Sequence, residues 1–106
     1  LRGPTLTVDT ACSSSLVSLH SAKNALLLGQ CESAINAGAN LMLSVDTPAA
    51  FAKSGMLSQD GRCKTLDAVA DGYVRAEAAG AVFLRLLTSL SVDMDAYCIL
   101  SATSLN

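Results

Sequence analysis

Apolar positions along this chain cluster into runs separated by polar, glycine-bearing connections, and the period within each run differs. A short extended run at residues 6–11 leads into a pattern of helical period over residues 13–28. Gly29 follows where a helix ends on a left-handed residue. Residues 34–43 return as a nearly continuous apolar stretch of the kind that fills a buried parallel strand. The chain from 6 to 43 is therefore expected to form one right-handed βαβ unit. Residues 44–72 break the pattern, with Pro48, Gly55, Gly61 and Gly72 among several aspartates, and predict irregular structure apart from a helical turn around 49–53. Long loops of this sort in compact domains tend to be functional. Further apolar runs at 79–87 and 96–105 predict a second buried strand and a third with partial alternation. The expected order is strand, helix, strand, long loop, strand, polar connection, strand, which is an α/β arrangement.

Composition changes this picture in one respect. Hydrophobic residues make up 51% of the 106 and charged residues only 15%, against roughly 25% charged in ordinary soluble domains. Too little polar surface exists to coat a small globule. The sequence reads like an interior, starts at Leu1 without a methionine, and runs through apolar, strand-like residues at both ends. Residues 1–106 are accordingly expected to be a fragment of a longer single domain. The longest apolar run, residues 78–84, falls far short of the roughly 20 residues a membrane span needs, and no charged-then-apolar N-terminal signal is present.

A net charge of −2, no basic stripe and four aromatic residues argue against nucleic-acid binding. The four cysteines, Cys12, Cys31, Cys63 and Cys98, are widely spaced and show no paired pattern for zinc, so no metal is expected. Reduced thiols in a cytoplasmic protein are the simplest reading, because disulfide frameworks serve small secreted chains.

Cys12 is where chemistry is expected. It stands between the extended run and the helix, and a residue at such a turn points at the helix's unpaired N–H groups, whose partial positive charge stabilises an anionic sulfur. The serine elbow of hydrolases uses the same geometry. A small buried hydrophobe is the other fate open to a free cysteine at this position.

The residues around Cys12 carry a resemblance. Thr7-Val8-Asp9-Thr10-Ala11-Cys12-Ser13-Ser14-Ser15-Leu16-Val17 resembles the active-site segment of β-ketoacyl synthases, specifically the ketosynthase domains of type I polyketide synthases and animal-type fatty acid synthases. Gly38-Ala39-Asn40-Leu41-Met42-Leu43, the stretch from Met56 through Asp60-Gly61-Arg62-Cys63-Lys64 to Thr65, and Ala70-Asp71-Gly72-Tyr73-Val74-Arg75 follow in the family's order and at about its spacing. The resemblance implies a thiolase-like α/β fold, layered α/β/α/β/α, with Cys12 as the nucleophile that takes an acyl group from a thioester and its backbone N–H as half of an oxyanion hole. It implies decarboxylative Claisen condensation with a malonyl-type thioester on phosphopantetheinyl acyl carrier protein, no bound cofactor, a carrier-protein partner and a homodimeric parent domain. Phe51 and Tyr73, by motif position, resemble residues near the acyl channel, and ordinary core packing is their other reading.

His20 cannot complete such a site. Eight helical residues separate it from Cys12, about 12 Å along the axis at 1.5 Å per residue, beyond the ~3 Å a base needs. It is expected to be a packed or partly exposed helix residue. In the family two histidines and a lysine lie in later motifs, and neither motif occurs before Asn106. Thr10 and Ser13 are expected to cap the helix, and Asn40 to bond nearby backbone from a buried strand. Asp60-Gly61 is expected to be a tight turn, since Arg62 and Lys64 occupy positions where calcium would need oxygen. Asp67 and Asp71 are expected to form ion pairs with Arg62, Lys64 and Arg75.

Where the family reads Gly-Tyr-Val-Arg-Gly-Glu-Gly, this chain has Ala76 and Ala78 in place of two glycines; Gln59 and Leu66 also replace the usual proline and phenylalanine. Alanine in a left-handed backbone costs about 1 kcal/mol or more. Two other functions stay in view: a coenzyme A-dependent acyltransferase of the thiolase superfamily, against which the Cys12-Ser13-Ser14-Ser15 run and the Asp60 turn speak, and a non-catalytic ketosynthase-like partner subunit, which retention of Cys12 disfavours.

Overall fold

The computed structural model describes residues 2–87 and 96–106. The polar connection expected between the last two apolar runs falls largely outside the described residues. The chain divides into two compact units, one of Leu1–Gly38 with Gly80–Asn106 and one of Ala39–Ala79.

In the first unit a single 3-10 turn, Ala11–Ser13, runs directly into helix α1, Ser14–Leu27. The helix ends as its sequence predicts. Gly29 adopts φ +68°, its N–H donates to the Leu26 carbonyl at 3.0 Å, and the next amide, Gln30 N–H, donates to the Ala25 carbonyl at 2.9 Å. These two bonds satisfy carbonyls that the last turn leaves orphaned, and only a left-handed residue lets the chain make both.

Strand β1, Ser33–Asn40, follows at the expected place. It pairs antiparallel with β2, Ala78–Arg85, in a two-stranded sheet. Helix α1 starts over this sheet. Asn36 Nδ2 donates to the Ser15 carbonyl at 3.2 Å, and a Cβ built on Gly38 would stand 3.1 Å from Ser15 Cβ. Glycine at 38 is what allows the close approach.

Three expectations are corrected here. Residues 6–10 belong to no strand, residues 96–106 form none either, and β1 has an antiparallel partner only. The βαβ unit and its crossover are therefore absent among the described residues. The physical reason is common to all three: an apolar run becomes a strand only when a neighbour pairs its N–H and C=O groups. Nor is the helix buried. Residues 17–25 are half-covered, and Leu26, 4% exposed, is the only buried apolar residue among those described. Two strands and one long helix supply no second layer to close over the apolar positions.

The second unit holds helix α2, Asp46–Lys53, longer than the single turn predicted. Pro48 lies in its first turn, where a missing N–H is harmless. Asp46 and Lys53 complement the two ends of the helix dipole. The following loop is held by an isolated parallel bridge between Leu57 and Tyr73, with Ser58 N–H donating to the Tyr73 carbonyl and Tyr73 N–H to that of Met56. Gly72, at φ +144°, makes this possible: a Cβ there would lie 2.5 Å from Ser58 N.

Lys64 Nζ sits between Asp71 Oδ1 at 2.7 Å and Asp60 Oδ2 at 3.1 Å, and Ser58 Oγ donates to Asp60 Oδ1 at 2.8 Å. Asp60, not Asp67, is thus the second partner of this lysine, while the Asp67 carboxylate accepts the Val69 N–H. The Ser58 hydroxyl and then Lys64 hold Asp60 below the usual carboxylate value of 3.8, and Lys64 does the same for Asp71. The two carboxylates, Asp71 foremost, raise the ammonium above 10.5.

Two outcomes follow. Gly29→Ala, where nothing lies within 4 Å of the new Cβ, should cost about 1 kcal/mol, and Gly72→Ala about 2–3 kcal/mol because steric overlap adds to the backbone strain; denaturant midpoints of the two variants rank them. The carboxylates' folded values are depressed, so their contribution is present above the ordinary value of 3.8 and fades as pH falls through the folded values. Lys64→Met should lower the unfolding midpoint near pH 7 and leave it unchanged near pH 2.

Candidate active site

The turn that carries Cys12 is built from side-chain oxygens. Ala11 stands at φ +57°, a left-handed conformation for a residue with a Cβ. The Asp9 carboxylate holds it there by accepting the Ala11 N–H at 3.0 Å. Thr10 N–H donates to Ser14 Oγ at 2.9 Å, and Ser14 Oγ donates onward to the Ala11 carbonyl at 2.7 Å. Ser13 Oγ donates to the Thr10 carbonyl at 3.0 Å, which leaves the Thr10 hydroxyl as donor in their mutual 2.8 Å contact.

Thr10 and Ser13 therefore do not cap the helix as predicted, for neither hydroxyl accepts a helix N–H. Their hydroxyls close on each other across the turn that the left-handed Ala11 makes. Ladder bonds begin with Ser13 N–H to the Thr10 carbonyl at 3.4 Å and Ser14 N–H to that of Ala11. Of the five amides from Thr10 to Ser14, four have an acceptor. That of Cys12 has none among the described residues, and its side chain is exposed with a free thiol.

His20 is occupied elsewhere. Asn24 Nδ2 donates to its Nε2 at 2.8 Å, so the ring proton is on Nδ1, which donates to Thr103 Oγ1 at 2.9 Å. Lys23 Nζ donates to the same hydroxyl at 3.1 Å. The ring ties α1 to residue 103.

Phe51 and Tyr73 both fall in the second unit and are half-buried. Phe51 is on α2, and Tyr73 is the residue bridged to Leu57. Two contacts here escape any reading by spacing. The Arg75 guanidinium carbon lies 5.0 Å from the Phe51 ring centroid, and Arg75 Nη2 reaches Asn40 Oδ1 at 3.4 Å. Asn40 is exposed, not buried as predicted, yet its Nδ2 does bond backbone, the Ala76 carbonyl at 2.5 Å. Glu77 accepts the Met42 N–H at 2.7 Å. The Arg75-Ala76-Glu77 run thus grips residues 40–42, and a cation beside an acidic residue in a polar-poor stretch is the signal that would have marked it. Ala76 and Ala78 both keep φ outside the left-handed region, so neither alanine carries the cost anticipated for it. The remaining thiols are set apart: Cys31 is half-buried, and Cys63 Sγ accepts the Val74 N–H at 3.4 Å. Among the described residues no group of three His, Cys, Asp or Glu side chains is placed to hold a metal, and no helix is long and apolar enough to cross a membrane.

The family described as beta-ketoacyl synthase, N-terminal domain, matches residues 1–89. The chain is 51% identical over 93 residues to a highly reducing polyketide synthase of Aspergillus ruber, covering 88% of this chain and 4% of that protein. It is 47% identical over 94 residues to a probable polyketide synthase of Dictyostelium discoideum, covering 89% and 3%. Among solved structures, the oxazolomycin ketosynthase domain of Streptomyces albus superposes with a TM-score of 0.76 at 45% identity, over 79% of this chain and 15% of that one. A ketosynthase from module 6 of the bacillaene synthase of Bacillus subtilis gives 0.73 at 44%, over 76% and 14%. The chain therefore spans only a small part of the relatives it matches, and its architecture is a portion of their thiolase-like α/β fold. Residues 1–89 place the chain in the β-ketoacyl synthase family, in the ketosynthase region of polyketide synthases.

Proposed function

We propose that residues 1–106 are a section of one ketosynthase domain, its N-terminal half running into the start of the C-terminal half, and that Cys12 is its nucleophile. The observation that carries this reading is the unshared Cys12 N–H. A turn that satisfies Thr10, Ala11, Ser13 and Ser14 N–H and leaves one amide open beside an exposed thiol has the donor an acyl oxyanion requires. The left-handed Ala11 fits the same reading, since such strain persists where surrounding bonds over-determine it.

The reaction runs in two stages. Cys12 sulfur attacks the carbonyl of an acyl thioester on acyl carrier protein; a new C–S bond forms, and the carrier's phosphopantetheine thiol leaves with the proton. A malonyl-type thioester then loses carbon dioxide, and the electron pair of the broken C–C bond attacks the Cys12 thioester carbonyl. The new C–C bond expels Cys12 as thiolate, ready for another acyl group. His20 takes no part, both its ring nitrogens being engaged; the family resemblance assigns the assistance to decarboxylation to two histidines and a lysine of later motifs. Phe51 and Tyr73 line the acyl channel. The parent domain is a cytoplasmic homodimer that needs no bound cofactor, and its product is a polyketide or fatty acid.

Acylation tests the assignment. In the complete ketosynthase domain, incubation with an acyl thioester followed by digestion and mass spectrometry should place the acyl group on Cys12, with Cys31, Cys63 and Cys98 lagging. Acyl transfer mainly to another cysteine defeats it. Cys12→Ala should abolish condensation, whereas alanine at Cys31 or Cys98 should cost stability at most. Residues 1–106 expressed alone should self-associate, with Leu16, Leu41, Leu43 and Phe83 among many exposed apolar side chains, and should form no β-ketoacyl product. Gel filtration and a condensation assay check both; a soluble monomer giving Cys12-dependent product overturns the reading of the chain as an incomplete site.

A further inference from the structure

We propose that Arg75 is a positioning residue for the acyl channel: held by Asn40, its guanidinium fixes the Phe51 ring and so tunes which acyl chains are accepted. The inference rests on the reading of Phe51 as a channel residue.

Phe51 has little backbone freedom. Its carbonyl accepts both the Met56 N–H at 3.1 Å and the Ser54 hydroxyl at 2.8 Å, the bonds that close the end of α2. What remains free is the rotation of the ring. Arg75 bears on that rotation, because its guanidinium carbon lies 5.0 Å from the ring centroid, within the ~6 Å over which a cation is attracted to an aromatic face.

The arginine is itself restrained. Asn40 Nδ2 donates to the Ala76 carbonyl at 2.5 Å, which fixes the amide and turns Oδ1 toward Arg75 Nη2 at 3.4 Å. Arginine usually spends its donor fork on a carboxylate. Here no carboxylate pairs with Arg75 among the described residues, and its Nε is buried without a hydrogen-bond partner. The guanidinium engages its neighbours through its face and one amino group. That arrangement makes little sense as a surface ion pair and good sense as a plate against which Phe51 rests. It also gives one purpose to three separated stretches of sequence, around Asn40, Phe51 and Arg75.

The test uses the complete ketosynthase domain and a series of acyl thioesters of increasing chain length, read as the ratio of kcat/KM for long against short donors. Phe51→Ala should shift the ratio. Arg75→Met, which keeps bulk and removes charge, should shift it in the same direction by about three- to tenfold, the effect expected of one partly covered cation–π contact. Arg75→Lys, which keeps charge but not the planar face, should shift it less. In the Phe51→Ala background, Arg75→Met should add nothing further to the ratio, because the two side chains act as one unit. A shifted ratio in Phe51→Ala with an unchanged one in Arg75→Met overturns the inference alone, and so does an equal fall for every donor, which marks a structural role only. An unchanged ratio in Phe51→Ala removes the channel reading and the inference with it.

Discussion

The hydrogen bond from Ala11 N–H to the Asp9 carboxylate is the constraint on which the first unit depends. A left-handed alanine is costly by about 1–2 kcal/mol unless something holds it, and the carboxylate two residues back supplies the hold at 3.0 Å. Once Ala11 is set, the direction of the chain into Ala11–Ser13 and then α1 is determined. Without it, the Ser14 hydroxyl could not bridge the Thr10 amide and the Ala11 carbonyl, and the ladder would begin earlier. An earlier start would consume the Cys12 N–H. The strain thus decides which residue's N–H is left idle at the head of the helix.

The second unit obeys a different constraint. Its loop has no apolar core, so polar side chains and single bridges hold its course: Lys64 between two carboxylates, Glu77 on the Met42 amide, Asn40 on the Ala76 carbonyl. Such bonds specify geometry more than they stabilise, because at an exposed site each replaces an equally good bond to water. Non-glycine residues at positive φ, Lys64 and Leu66, mark where that network bends the backbone against its preference.

Much of this is legible in the sequence where a local rule governs. Gly29 announces the end of α1 because a left-handed terminus almost demands glycine, and the change of period around Cys12 places it at a helix entry. Pairing is less legible. Residues 6–10 and 96–106 carry strand-like composition, but whether they join a sheet depends on neighbours that composition does not name. Pro48 reads as a breaker and is in fact a first-turn residue, since the same missing N–H suits both. The Arg75 contact with Phe51, 24 residues apart, follows no period at all. Nor does spacing reveal that Thr10 and Ser13 bond each other instead of the helix, because that outcome depends on the φ of Ala11.

The close approach of Gly38 to Ser15 has a consequence for how such a site can be adjusted. The helix bearing the Cys12 turn at its head rests on β1 at a point where the strand presents no side chain. Added volume at position 38 would press on Ser15 Cβ, 3.1 Å away at the head of the helix, like a shim under a lever, and so bear on the sulfur from outside its own turn. The depth at which the thiol stands is then a property of the sheet beneath, separable from the chemistry of the loop that carries it.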